Sequence, residues 1–100
     1  MRLDIRVIFG LNEDMIQKIS APVSVETVYD HRKRTIAPRR IFWDGQIFRI
    51  AQVGLHHTFR EGRTLFHIFS VTTQNLSFRL RLDTDSLFWT LEEISDGLTN

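Results

Sequence analysis

The chain has 100 residues, of which 42% are hydrophobic and 25% are charged, and its formal net charge at pH 7 is +1. This length favours one domain over residues 1–100 with its own core, and this composition excludes the disordered class of proteins. The absence of cysteine excludes disulfides, thiolate nucleophiles and sulfur-ligated metal centres.

The first third of the chain predicts two strands around a short helix. Residues 3–9 alternate apolar side chains with mainly charged ones, which is the period of a strand with one buried face. Residues 12–19 combine an N-cap candidate, two acids in a first turn and apolar side chains at helical spacing, so a short helix is predicted there. Alternation returns over residues 23–31 and predicts a second strand, followed by a charged turn at residues 32–34.

The middle of the chain predicts a hairpin and its continuation. Pro38 has no N–H to donate, so it marks a break or an edge position in an extended segment. Asp44 and Gly45 separate two apolar runs, a pattern typical of a two-residue hairpin turn. Residues 46–53 are predicted as one strand, and residues 64–71 are predicted to pair with it across a polar loop.

The last third of the chain has the clearest strand pattern. Residues 76–82 alternate leucine or phenylalanine with serine or arginine, which indicates a strand with one buried face. Residues 83–86 are predicted as an Asx-type turn, residues 87–91 as a closing strand, and residues 92–97 as a turn or brief helix. Eight phenylalanines and two tryptophans exceed what one open sheet covers. The sequence therefore predicts a mainly β domain, a small antiparallel barrel or sandwich of about six to seven strands.

One part of the chain has a resemblance to known proteins. Residues 38–50 read Pro-Arg-Arg-Ile-Phe-Trp-Asp-Gly-Gln-Ile-Phe-Arg-Ile, and aromatic-rich strands and a late Trp89-Thr90-Leu91 follow. Residues 38–91 thereby resemble a family of small uncharacterised bacterial β-domains, which read as Pro, an aromatic strand, Gly, an aromatic-rich strand and Trp-x-Leu. Similar segments look like the C-terminal domains of certain translesion-polymerase-like proteins. The resemblance implies a compact β-domain with a link to DNA metabolism, and it supplies no catalytic residue.

A basic stretch beside aromatic residues carries the leading functional hypothesis. The cations are Arg32, Lys33, Arg34, Arg39 and Arg40, and the neighbouring rings are Phe42, Trp43 and Phe48. Cations that contact phosphates and rings that stack on bases are the parts of a non-enzymatic module that binds single-stranded nucleic acid. Arg79 and Arg81 extend this basic face if their strand lies beside that of Arg39. In the competing interpretation the cations solvate a hairpin tip, while rings such as Trp43 and Trp89 anchor the core.

Two other functional classes stay open. The first is a protein–protein adaptor, including a homodimer, that adds a partner strand at an exposed edge such as residues 1–9 or presents an apolar patch. The second is a small-ligand or metal-dependent enzyme with His56, His57 and His67 in a barrel mouth. Consecutive strand residues point to opposite faces, so His56 and His57 are not expected to share a metal ion. The sequence has no nucleophile, phosphate-loop or calcium-loop motif, so no catalytic residue, cofactor or metal is assigned.

No targeting or membrane segment is predicted. Arg2, Asp4 and Arg6 interrupt the apolar run that a signal peptide needs, and no apolar run in the sequence reaches membrane-spanning length. We therefore expect a cytoplasmic protein with no membrane contact.

Overall fold

The described part of the chain is built from antiparallel strands. The structure is a computed structural model and describes residues 16–96. These residues form eight strands and no helix: β1 (Gln17–Pro22), β2 (Ser24–Asp30), β3 (Thr35–Trp43), β4 (Gln46–Arg49), β5 (Gln52–Glu61), β6 (Thr64–Thr72), β7 (Ser77–Asp83) and β8 (Phe88–Ser95). The predicted mainly β class is confirmed, whereas the predicted strand over residues 3–9 lies outside the described residues. Within residues 16–96 no helix is long and apolar enough to cross a membrane.

The eight strands form two sheets that pack face to face. The larger sheet has the order β1-β8-β7-β6-β5, and the smaller one has the order β2-β3-β4. The chain changes sheet at Val23, between β1 and β2, and again at residues 50–51, between β4 and β5. Among the described strands no ladder joins the two sheets at these corners. The predicted barrel or sandwich is therefore an open two-layer sandwich.

The core lies between the two layers. Along β7 the side chains of Phe78, Leu80 and Leu82 are buried, while those between them are only half-buried. From the smaller sheet, the ring of Phe48 meets Phe78 edge-on, with centroids 5.1 Å apart and planes at 83°. Burying one side chain of this size stabilises a fold by about 1.5–3 kcal/mol. Both tryptophans pack against this core, which confirms that they act as anchors.

The β3–β4 hairpin confirms the predicted turn. Asp44 and Gly45 have φ of 53° and 74°, and a type I′ turn requires positive φ at both central positions. Pro38 does not end the strand, because it lies buried within β3 beside a bulge in which Arg39 is the extra residue. The β4 ladder covers only residues 40–43 of β3, so Pro38 occupies the edge position that the sequence predicts.

The predicted helix is wrong where the structure describes it. Residues 17–19 belong to β1, and residues 12–15 lie outside the described residues. Half-buried and exposed side chains alternate along β1, and Ile19 packs against the core. β1 also pairs with β8, and this ladder together with the burial of Ile19 outweighs a weak intrinsic helix preference.

The stretch that contains β4 and β5 also departs from the prediction. The single strand predicted over residues 46–53 is two strands, because the chain changes sheet at residues 50–51. β6 pairs with β5 and not with β4, and residues 54–60 of the predicted polar loop belong to β5. Every residue of β5 after Val53 is exposed, so no buried face imposes the alternation by which a strand is recognised. Residues 92–95, predicted as a turn or brief helix, extend β8.

Candidate functional site

The predicted cations Arg32, Lys33 and Arg34 form the basic tip of the β2–β3 hairpin. All three side chains are exposed in the turn between Asp30 and Thr35, the pair that closes the hairpin. Oδ1 of Asp30 accepts backbone hydrogen bonds from Arg32 at 2.9 Å and from Lys33 at 3.2 Å. The carboxylate therefore shapes the turn through the backbone and leaves the cationic side chains in solvent.

The other two predicted cations have different environments. Arg39 is exposed at the bulge of β3, and its carbonyl accepts a hydrogen bond from the backbone N–H of Ile50 at 2.9 Å. Arg40 donates from Nε and Nη2 to the two carboxylate oxygens of Glu26, at 2.8 and 2.7 Å. This bond raises the pKa of Arg40 and lowers the pKa of Glu26. Within residues 16–96 no carboxylate pairs with Arg39 or with the basic tip, whereas the charge of Arg40 is compensated.

Positive charge is concentrated on this hairpin. Residues 24–43 hold five Lys/Arg against two Asp/Glu, a net of +3, whereas the other described residues hold six against seven, a net of −1. Arg39 lies five positions after Arg34 along an extended chain, which corresponds to roughly 16 Å. The unpaired cations therefore line a path along one hairpin instead of a single point.

The aromatic residues of this region divide between core and surface. Trp43 and Phe48 pack against the core, with ring centroids 6.4 Å apart. Phe42 lies on the other face of the sheet, where the Arg40 guanidinium is 5.5 Å from its ring centroid. Tyr29, which is 61% exposed and lies next to the turn, was not among the predicted site residues. Tyr29 and Val25 are four positions apart and so lie on the same face of the strand. The alternation of apolar and polar residues therefore predicts that both face the core.

Arg79 and Arg81 do not extend the basic face. They lie on β7 of the larger sheet, whereas Arg39 lies on β3 of the smaller one. Nε of Arg79 is 3.0 Å from Oε1 of Glu92, and Nη1 of Arg81 is 3.4 Å from Oε2 of the same carboxylate. Glu92 is the residue that makes the bulge in β8 opposite these arginines. Both arginines therefore pair with one carboxylate, which offsets one of their two positive charges.

Of the three histidines that the sequence analysis names, His56 and His67 form a pair across β5 and β6. His56 and His57 point to opposite faces of β5, as strand geometry predicts, and His67 lies on β6. Nε2 of His56 and Nδ1 of His67 are 2.7 Å apart, so one ring donates an N–H to the other. The His56 ring also stacks on Phe69, with centroids 4.2 Å apart. Partial burial lowers the pKa of both paired histidines, and the neighbouring charges of His67 and His57 lower that of His56 further.

The described residues offer little else for cofactor chemistry. In residues 16–96 no group of three or more His, Asp or Glu side chains is placed to hold a metal ion. A shallow cleft of about 150 Å³ lies at one end of the larger sheet and is lined by Ile16, Ser70, Ser77, Phe78, Arg79, Glu93, Ile94 and Ser95. No histidine lines it, and its charged groups pair elsewhere: Arg79 with Glu92, and Glu93 with Lys18.

No protein-family model matches the chain, and neither a curated protein nor a solved structure matches it. The resemblance of residues 38–91 to small bacterial β-domains therefore stays a prediction. What the chain does must be inferred from its own surfaces.

Proposed function

We propose that this chain is a non-enzymatic module that binds single-stranded nucleic acid through the β2–β3 hairpin. The observation that carries the proposal is the set of exposed cations on one hairpin, the basic tip and Arg39, which pair with no carboxylate among residues 16–96. Lys and Arg side chains that neutralise phosphates release counterions, and this release drives nucleic-acid binding.

The hairpin also offers rings for the bases. Tyr29 is exposed beside the turn, and Phe42 lies on the outer face with Arg40 against it. Stacking of a base on an aromatic side chain contributes roughly 1–3 kcal/mol and needs an unpaired base. These rings favour a single strand over a duplex, whose bases already stack on each other. Trp43 and Phe48 take no part, because they belong to the core.

Arg40 has a supporting role in this proposal. Its guanidinium is held by both oxygens of Glu26, so it positions the outer face around Phe42 more than it adds positive potential. Phosphate contacts are expected chiefly at the basic tip and at Arg39.

The test is fluorescence anisotropy with a labelled oligothymidine of about 16 nucleotides, titrated at about 50 and 200 mM salt. The wild type is expected to bind more weakly at the higher salt concentration. The double variant Arg32→Gln/Lys33→Gln removes two charges of the basic tip, and its log-log salt slope should be shallower by about 1.4, at roughly 0.7 per phosphate contact.

The matched control is Arg60→Gln/Arg63→Gln, which removes two exposed charges from the end of the β5–β6 hairpin. This variant should retain the wild-type affinity and salt slope. Equal losses in the two double variants would mean that only overall charge matters, and the proposed surface would be rejected. Absence of binding by the wild type at the lower salt concentration would reject nucleic acid as the ligand. Tyr29→Ala should weaken binding at both salt concentrations and leave the slope unchanged.

A further inference from the structure

β5 is less protected against pairing with another chain than the other outer strands of the two sheets. β1 carries Lys18, Pro22 and a bulge, β2 carries Glu26 and Asp30, and β4 is only four residues long. Charges, prolines, bulges and shortness are the devices by which edge strands avoid pairing with other chains. β5 is ten residues long and has a bulge at Gly54, but between Leu55 and Phe59 it has no charged residue, no proline and no bulge. Among residues 16–96, no strand pairs with the side of β5 that faces away from β6, and we call this side, over residues 55–60, the open edge.

The hairpin turn decides which backbone groups face the open edge. Glu61 pairs with Thr64 across the two-residue turn at Gly62, whose φ of 62° is typical of a type II′ turn. The backbone hydrogen bond that closes this turn directs the carbonyl of Glu61 toward β6. In an antiparallel strand, the N–H and C=O groups of successive residues point alternately toward one neighbour and toward the other. The N–H and C=O groups of His56, Thr58 and Arg60 therefore point away from β6, toward the open edge.

Apolar side chains of the outer face reach the same edge. Leu55 is 57% exposed and Phe59 is 39% exposed, and both lie on the face of the larger sheet that is turned away from the core. The Phe59 ring stacks on Phe66 of β6 at a centroid distance of 5.1 Å, and Arg81 covers the far side of Phe66 at 5.5 Å. This apolar strip is therefore supported from β6 and β7, and its end at the open edge is exposed in the part of the chain that the structure describes.

We infer that the open edge pairs antiparallel with the open edge of a second copy of this chain, across a two-fold axis at His57. Such an axis is perpendicular to the sheet and keeps its faces, so each side chain meets one on its own face. Leu55 then lies opposite Phe59 of the second copy, and this contact occurs twice. His56 lies opposite Thr58 of the second copy, and their outward backbone groups exchange hydrogen bonds. The two larger sheets join into one continuous sheet of ten strands.

The charged and apolar side chains of β5 together favour this register over its two neighbours. With the axis at His57, Arg60 and Glu61 lie opposite Gly54 and Val53 of the second copy, so no like charges meet. Moving the axis to Thr58 places Leu55 opposite the carboxylate Glu61. Moving it to His56 places Leu55 opposite His57 and separates it from Phe59. The axis at His57 alone matches the two exposed apolar side chains, and this self-complementarity identifies a second copy as the occupant.

The first test is sedimentation equilibrium over a range of protein concentrations. We expect a concentration-dependent dimer with twice the 11.8 kDa mass of the chain. Leu55→Asp should leave a monomer, because it places a carboxylate against Phe59 of the second copy. The matched control is Ile47→Asp, since Ile47 is 58% exposed and lies on β4 of the other sheet. The control should remain a dimer, and circular dichroism of both variants checks that they fold.

A second test fixes the register without destabilising the chain. The protein has no cysteine, so a single introduced cysteine reports its own contacts. His57→Cys places two Cα atoms about 4.5 Å apart across the axis, within the range of a disulfide. This variant should form a covalent dimer under oxidising conditions. Leu55→Cys should not, since its two copies lie roughly 14 Å apart along the strands.

Several outcomes would overturn the inference. A wild type that stays monomeric at every concentration leaves the open edge to a different protein or to none. A dimer that survives Leu55→Asp, or one in which Ile47→Asp is equally disruptive, places the interface elsewhere. A dimer in which Leu55→Cys crosslinks and His57→Cys does not has another register.

Discussion

The β2–β3 and β5–β6 hairpins differ in the length of their turns, four and two residues, and in the side chains of their outer strands. Each is a long antiparallel pair whose outer strand is largely exposed toward the turn. The outer strand β2 carries Glu26 and Asp30, and the turn that follows it carries the basic tip. The outer strand β5 ends in Arg60 and Glu61 beside its turn, but over residues 55–59 its side chains are apolar, histidine or threonine.

This contrast separates two kinds of interaction surface in one small sandwich. Charge on an edge disfavours the addition of another strand and favours a polyanion in solution, whereas an uncharged edge with free backbone groups favours another strand. Both hairpins have an exposed outer strand, so exposure alone does not determine what each of them binds. The side chains on the outer strand and the turn distinguish the two surfaces.

The largest expected effect concerns the support beneath the β5–β6 hairpin. Phe69 is 1% exposed and contacts both His56 and Trp89. Phe69→Ala should lower the free energy of unfolding by about 3–5 kcal/mol, because it removes buried surface and leaves a cavity. Urea denaturation followed by tryptophan fluorescence measures this loss. A single transition is expected, since both hairpins share one core, and a loss below about 1 kcal/mol would contradict this view of the core.

A smaller effect is expected when a turn loses its carboxylate. Asp30 and Asp83 make equivalent contacts, since each accepts two backbone N–H bonds from the residues two and three positions later. Asp30→Ala and Asp83→Ala should each destabilise the fold by about 1 kcal/mol.

Binding separates these two variants. Asp30→Ala also removes a negative charge from beside the basic tip, so it should tighten oligonucleotide binding, whereas Asp83→Ala on the other sheet should not change it. Chemical denaturation and anisotropy titrations measure the two quantities. Tighter binding in both variants would show that the β2–β3 hairpin is not the preferred surface.

Arg34 allows stability and binding to be moved in opposite directions. It has a φ of 53°, in the left-handed region that costs a non-glycine residue about 1–2 kcal/mol. Glycine removes this strain but loses about 0.5–1 kcal/mol of conformational entropy on folding. Arg34→Gly should therefore raise the free energy of unfolding by about 0.5 kcal/mol and weaken nucleic-acid binding. Loss of stability would show that the side chain of Arg34 makes a stabilising contact.

The smallest effect is expected from the paired histidines, because both rings are partly open to solvent. The pKa of His56 and of His67 is lower in the folded chain than the ordinary 6.5. Below pH 6.5 the unfolded chain therefore binds more protons than the folded one, and stability falls as the pH drops toward the lowered values. Urea midpoints measured between pH 7.5 and pH 5 should show this decrease. His56→Gln/His67→Gln should flatten the profile, and an unchanged profile would assign the decrease to other groups.

Much of the candidate surface followed from local sequence patterns. The charged turn at residues 32–34 and the Asp44-Gly45 turn were both predicted at their positions. The pairing of Arg40 was not, because its partner Glu26 lies 14 residues away and meets it only through the β2–β3 register. Tyr29 was assigned to the core by its parity, since the sequence does not reveal where the opposing sheet ends.

The open edge of β5 had no counterpart in the sequence prediction. The sequence placed an exposed edge at residues 1–9, which lie outside the described residues, and it placed a loop where β5 runs. A strand with both faces exposed has no hydrophobic period in its sequence. β5 is therefore recognised as a strand by its ladder with β6. The convergence of His56 with His67 depends on the same ladder.

Local patterns in this chain were enough for the β class, the strand alternation of β7, the Asp44-Gly45 turn and the position of the basic tip. These features depend on backbone preferences and on the period of burial, which neighbouring residues specify together. The tertiary structure was needed for three other features: the assignment of strands to two sheets, the ion pairs of Arg40, Arg79 and Arg81, and the exposure of the β5 edge. Each of these depends on which distant segments come into contact, and that is settled by the packing of the whole chain around one core.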